Sequence, residues 1–194
     1  MLIVGSCGCH PANEGVGGRD SFGFPLGQVT AADVRAQEAA HLRYPGATLL
    51  TENCQDERDE GFFGGVRSAN CGAEVASPDD LQKTYAWYVE WLRARGYVYR
   101  GRGGMAQSDL YPGFLFHNAT TCREMITISF PKLDKAEPNG TSEGVTATIP
   151  PTTRSLIGFN YQIASTNGGL NCNDGRDTRT PDTFPPLPTT PTTR

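Results

Sequence analysis

The sequence predicts an α+β fold in which two helices pack on one face of a mostly antiparallel sheet, with long loops between the elements. Three observations predict it. Gly and Pro number 23 and 14 in a chain of 194 residues, far more chain breakers than a helical bundle carries. One stretch, 77–96, shows a helical hydrophobic period bounded by start and stop signals. Beyond it the period falls to two, the spacing of half-buried strands. Leu, Ile, Val and Phe make up only 37 of the 194 residues, so the core is modest, yet the net charge of −4 is too small for a disordered chain. No run of 18 apolar residues occurs, so no helix is long and apolar enough to cross a bilayer. The 17 basic residues form no block and are outnumbered by 21 acidic ones, which argues against nucleic acid as a partner.

Thr30-Ala31-Ala32-Asp33 reads as a helix start, a Thr cap with an acid three residues later. The helix is expected to reach about Leu42, with a weak apolar side of Val34, His41 and Leu42. Tyr44-Pro45-Gly46 stops it, and Ala47-Thr48-Leu49-Leu50 begins a strand. Glu52 to Gly72 reads as a loop or ragged hairpin broken by Gly61, Gly64 and Gly65. Ser77-Pro78-Asp79-Asp80 then supplies a capping hydroxyl, proline at the first helical position, and acids against the positive dipole end. Leu81, Tyr85, Tyr88 and Leu92 follow at the spacing of one buried face, with Trp91 beside them, and Gly96 supplies a left-handed stop. Short strands are expected at 97–99 and 113–117, and a cleaner one at 124–130 with Ile126, Ile128 and Phe130 facing inward. Ser155 to Ala164 is the last strand. Residues 30–176 therefore form a single domain. A glycine-rich flexible tether within 1–29 precedes it, and the Thr/Pro-rich segment 177–194, which cannot bury a core, follows it as a disordered or extended tail.

Six cysteines occur, and the four internal ones, Cys54, Cys71, Cys122 and Cys172, show no CxxC or CxxH spacing for zinc. Dispersed cysteines in a loop-rich chain suit disulfides, which persist in oxidising compartments. Four cysteines allow three pairings. We favour Cys54–Cys71, which ties off one loop, and Cys122–Cys172. If the strands at 124–130 and 155–164 pair antiparallel, Ala164 lies beside Cys122 and a short connection brings Cys172 within reach. Four buried reduced thiols are the alternative.

The apolar start Met1-Leu2-Ile3-Val4 leads into Val4-Gly5-Ser6-Cys7. This run of aliphatic, small, small and cysteine resembles the lipobox of bacterial lipoproteins. The resemblance implies lipidation of the Cys7 thiol, a membrane anchor at the N-terminus and an extracytoplasmic location. The layout of the domain is likewise similar to small bacterial lipoproteins of no assigned function. The competing reading makes Leu2-Ile3-Val4 a buried first strand.

Candidate chemistry is sparse. Cys7-Gly8-Cys9-His10 offers two soft ligands and an imidazole for Cu(I) or zinc, in competition with lipidation. Glu52, Asp56, Glu57, Asp59 and Glu60 form an acidic loop, and 171–177 superficially resembles a calcium loop. No Gly-x-Ser-x-Gly occurs. His10, His41 and His117 are the only imidazoles, and a Cys122–His117 nucleophile pair would forbid the second disulfide. Arg93, Arg95, Arg100 and Arg102 interleave with Tyr97 and Tyr99 in a basic-aromatic strip suited to anionic lipid or cell-wall polymer, or to pairing with the acidic loop. These features favour a monomeric, non-catalytic binding or interaction domain, lipid-anchored or secreted, with no cofactor and no metal and with an envelope protein or polymer as partner. A secreted hydrolase whose site gathers only on folding, and a metal-handling lipoprotein, are the rivals.

Overall fold

The computed structural model describes residues 18–57, 67–102, 113–131, 133 and 148–165. Helix α1 (Ala31–Arg35) leads through a 3-10 turn (Glu38–His41) into strands β1 (Thr48–Gln55) and β2 (Ser68–Ser77). Helix α2 (Leu81–Ala94) follows, and then strands β3 (Tyr97–Arg102), β4 (Gly113–Asn118), β5 (Glu124–Ser129) and β6 (Ser155–Ala164). The strands form one antiparallel sheet in the order β1-β2-β6-β5-β4-β3. The α+β class, with both helices on one face, is as the sequence predicts.

The details differ where local propensity meets tertiary packing. Thr30 does cap α1, and with Asp33 completes a capping box, but the α-helix lasts only five residues before tightening into the 3-10 turn. Its weak apolar side buries only Ala31 and Val34, too little to hold a longer helix. Helix α2 starts three residues later than its capping signal suggests. Asp80 is the N-cap, its carboxylate accepting from the Lys83 amide at 2.9 Å. Ser77 instead ends β2, where its buried hydroxyl meets Thr84 Oγ1 at 3.1 Å and accepts from the Asp79 amide. The buried face of α2 is Thr84, Tyr85, Tyr88, Val89 and Leu92, with Leu81 and Trp91 half-buried, and Gly96 turns the chain at φ +73°.

The region read as a ragged hairpin is regular at both ends. Strands β1 and β2 pair from Thr48↔Ala76 to Gln55↔Asn70, with one irregularity between Leu49 and Thr51. Cys54 and Cys71 face each other in this register and form a disulfide. Strand β6 is central, pairing with β2 along its whole length and with β5 from Glu124↔Ile163 to Ser129↔Gly158. Strictly alternating residues of these strands make the core: Ala69, Cys71 and Val75 from β2, Ile126 and Ile128 from β5, and Ile157, Phe159, Tyr161 and Ile163 from β6. They meet Tyr85, Tyr88, Val89 and Leu92 of α2 and Val34 of α1.

The C-terminal end of the segment read as a tether makes contacts with the body of the domain. Phe24 and Val29 are buried, while most of 18–28 is exposed. Asp20 accepts from the amides of Phe22 and Phe24, and Arg123 reaches across to Asp20 and to the Pro25 carbonyl. A glycine-rich composition concealed this, because the anchoring contacts come from a residue about a hundred positions away. The tail 177–194 and the segment 1–17 lie outside the described residues.

Candidate functional site

The helices cover one face of the sheet, and the residues of opposite parity form a second face of different chemistry. Cross-strand register arranges them in rows. One row runs Asn53–Gly72–Asn160–Thr127 across β1, β2, β6 and β5, and the next runs Thr51–Glu74–Gly158–Ser129. Each of these eight positions is at least partly accessible. A third row, Gln55–Asn70–Gln162–Met125, passes into buried positions at Gln162 and Met125. At the other margin Leu50, Ala76, Leu156 and Ile149 make a small apolar cluster. Strands β1, β2, β5 and β6 contain no Lys, Arg or His. Their other two acids, Glu52 and Glu124, are engaged by Arg43 and by tyrosines of the helix-side core. The band is therefore a field of amides and hydroxyls with a single carboxylate, Glu74.

Gly72 is its low point. A Cβ built there would meet only ordinary contacts, Phe159 O at 3.8 Å, Asn160 Oδ1 at 3.9 Å and Asn53 O at 4.0 Å. Polar side chains ring the gap: Asn53 and Asn160 across the strands, Asn70 and Glu74 two residues away along β2. The neighbouring glycine differs. At Gly158 a Cβ would collide with Ser129 Oγ, which already lies over that position and reaches the Gly158 carbonyl. Desolvation raises the Glu74 carboxyl above its ordinary value. Asn160 Oδ1 and Thr127 Oγ1, neighbours across the β5–β6 register, are shielded from solvent and have no hydrogen-bond partner among the described residues. A shielded polar group left unmatched costs roughly 1–3 kcal/mol. Two such atoms side by side mark a place where partners are wanting.

A second polar cluster lies on the helix side. Buried Glu124 accepts from Tyr161 Oη at 2.7 Å, Tyr97 Oη at 3.0 Å and Thr121 Oγ1 at 3.0 Å. Burial first, and then the Glu124 charge, drives both phenols well above their ordinary pKa. This carboxylate is satisfied by its own neighbours, and the cluster fastens β3, β5 and β6 together at one end of the sheet.

The residues singled out in the sequence are not brought together. Cys7, Cys9, His10, Asp59, Glu60 and Cys172 lie outside the described residues, as does the 171–177 loop. Cys54–Cys71 is formed, and Cys122 is disulfide-bonded, so its thiol is no partner for His117. The acidic loop dissolves into structural roles. Asp56 accepts from the Ala31 amide at 2.7 Å, Glu57 from the Val29 amide at 2.9 Å, and Glu52 pairs with Arg43 at 2.7 Å. His41 bonds the Arg35 carbonyl, and His117 is buried in β4 between Val98 and Met125. In the basic-aromatic strip, Arg95 pairs with Glu38 and stacks over Trp91 at 4.1 Å, while Tyr97 and Tyr99 pack into the body. Among the described residues no three His, Cys, Asp or Glu side chains gather for a metal.

Sequence reasoning missed the amide field. The signal was present in the alternation of β6, where Gly158, Asn160 and Gln162 interleave with Ile157, Phe159, Tyr161 and Ile163. The same holds in β2, where Asn70, Gly72 and Glu74 alternate with Cys71, Ala73 and Val75. The chain matches no protein-family model, no curated protein sequence and no solved structure.

Proposed function

We propose that this chain is an extracytoplasmic binding domain, lipid-anchored through Cys7 or secreted, that holds an envelope partner without chemistry on the amide-bearing sheet face. The observation that carries the reading is the band around Gly72. A partly exposed sheet surface is ordinarily studded with charged side chains, whereas this one carries neutral hydrogen-bonding groups around a glycine, with Glu74 its single carboxylate. The disulfide fits an oxidising compartment, and the lipobox-like start supports delivery to the envelope surface.

Co-sedimentation of the purified domain with isolated bacterial envelope material tests the reading. Wild type is expected to pellet with it. Asn53→Lys, which places a charge at the exposed edge of the band, should weaken retention about tenfold, the loss of roughly one hydrogen-bonded contact, with the melting temperature unmoved. A wild-type domain that stays in the supernatant, or an Asn53→Lys variant that pellets equally well, overturns the reading. The anchor is checked separately by mass analysis of the N-terminal peptide from membrane-extracted protein, in which an unmodified Cys7 removes that part of the proposal.

A further inference from the structure

The chemistry of the band names its ligand more narrowly, on the premise that this face is the binding site. We propose that it takes a neutral, polyhydroxylated chain, a glycan strand lying across β1, β2, β6 and β5 with one sugar ring seated over Gly72.

Charge selects against most other ligands. An anion would meet Glu74 and find no basic side chain on these four strands. A metal ion would find one carboxylate where two or more hard oxygen charges are normally required. An apolar ligand would strip water from Asn53, Asn70, Asn160 and Glu74 without replacing their hydrogen bonds. What remains is a neutral molecule dense in donors and acceptors. The partly accessible amides of Asn53, Asn70 and Asn160 each offer both donors and acceptors, which hydroxyl groups match.

Geometry separates a glycan from a polypeptide. An extended peptide recognises a sheet through its edge, where its backbone groups can join the ladder. Laid on a face it would present alternating side chains, with its own amides unmatched. A pyranose ring carries hydroxyls around its whole rim and can bond to several neighbours at once. The ring around Gly72 offers that: Asn53 on one side, Asn160 on the other, Asn70 and Glu74 above and below. Adjacent strands lie about 4.8 Å apart, close to the length of one ring in an extended glycan, so successive sugars would fall over successive strands. Gly72 is the floor because any side chain there would occupy the ring's place, and the strand itself does not require glycine.

The test uses the whole chain and two soluble probes, the β-1,4-linked tetramers of glucose and of N-acetylglucosamine, followed by amide NMR and calorimetry. Binding of either tetramer is expected to shift the resonances of Asn53, Gly72, Asn160 and Thr127, and preference between the two tells whether acetamido groups contribute. Gly72→Val should fold, since a Cβ at this strand position meets only ordinary contacts, and should lose binding at least tenfold. Asn160→Ala should also lose it. If Gly72→Val fails to fold normally, Asn53→Lys carries the same test from the exposed margin. Absence of binding by both tetramers, or binding unaffected by Gly72→Val, overturns the glycan assignment. If wild type still pellets with envelope material in that case, the binding face stands and its ligand is of another class. If it does not pellet, the functional reading falls with it.

Discussion

Arg123 Nη1 stands 2.7 Å from Asp20 Oδ2, a contact between residues 103 positions apart that fixes the segment around Asp20 to the start of β5. The guanidinium also donates to the Pro25 and Ala164 carbonyls and lies against the Phe24 ring at 5.4 Å. Burial on its own would raise the Asp20 carboxyl, but the hydrogen bonds from Arg123, Phe24 and Phe22 hold it below the ordinary carboxylate value. The folded pKa is thus lower than the unfolded one. The pair's contribution is full above about pH 4 and is lost as the pH falls further. Arg123→Ala should cost about 3 kcal/mol, because it strands a largely buried carboxylate. Asp20→Asn should cost less at pH 7, and its difference from wild type in urea denaturation should shrink towards pH 3. A difference that is constant with pH would dissociate the loss from the charge.

Glu124, the next residue, carries a comparable load at the same strand end. Replacing its carboxylate by an amide removes the charge from the bonds of Tyr97 and Tyr161 and sets an NH2 donor where Thr121 now finds an acceptor. Glu124→Gln should therefore destabilise the fold by roughly 1–3 kcal/mol in chemical denaturation. The two phenols give the alkaline counterpart. Their folded pKa values are raised, so their stabilisation is full below about pH 10 and fades as the pH rises beyond it. Tyrosinate absorbance from Tyr97 and Tyr161 should then appear together with unfolding and not before it. Early, non-cooperative appearance in the folded protein would contradict their burial.

How much was legible follows from how local each signal is. The last strand could be read to its ends because alternation over Ser155–Ala164 is self-contained. The antiparallel pairing of β5 and β6, which the expected Cys122–Cys172 bond assumed, is present. The cap of α2 was misplaced because Ser77, Asp79 and Asp80 are each competent caps, and only its strand pairing with Ser155 and its hydroxyl contact with Thr84 decide that Ser77 belongs to the sheet. The amide band was invisible for a stronger reason. Asn53, Gly72, Asn160 and Thr127 are unremarkable in their own segments, and they become one row only through three strand registers that depend on the global fold. The acidic loop was legible as a charge cluster, but its members cap α1 and bind the Val29 amide, partners that no spacing rule connects to it.

The Cys54–Cys71 bond joins facing residues of the edge strand and its neighbour, closing a sequence separation of 17. In the chain-entropy account a loop of this size contributes about 3 kcal/mol. Replacing both cysteines by serine should lower the melting temperature by about 10 °C, given the entropy of unfolding of a domain this size. Reductant should then lower wild type by more than it lowers the double variant. Equal responses to reductant would show that this bond contributes nothing to the resting fold.

Helix α2 distinguishes two leucines that its sequence period treats alike. Leu92 is fully buried against the sheet, whereas Leu81, in the first turn, is only partly covered at the margin of the same cluster. Truncation at Leu92 leaves a cavity in the core cluster that it shares with Tyr88, Tyr97 and Phe116, and Leu92→Ala should cost about 2–5 kcal/mol. At Leu81 water can follow the retreating side chain, so the cavity part of the penalty vanishes and the transfer part is reduced in proportion to its exposure. Leu81→Ala should accordingly cost about 1 kcal/mol. Paired equilibrium unfolding curves measure both. A larger loss at Leu81 than at Leu92 would mean that the helix is seated on its first turn and not along its length, and the face assigned to α2 would have to be rotated.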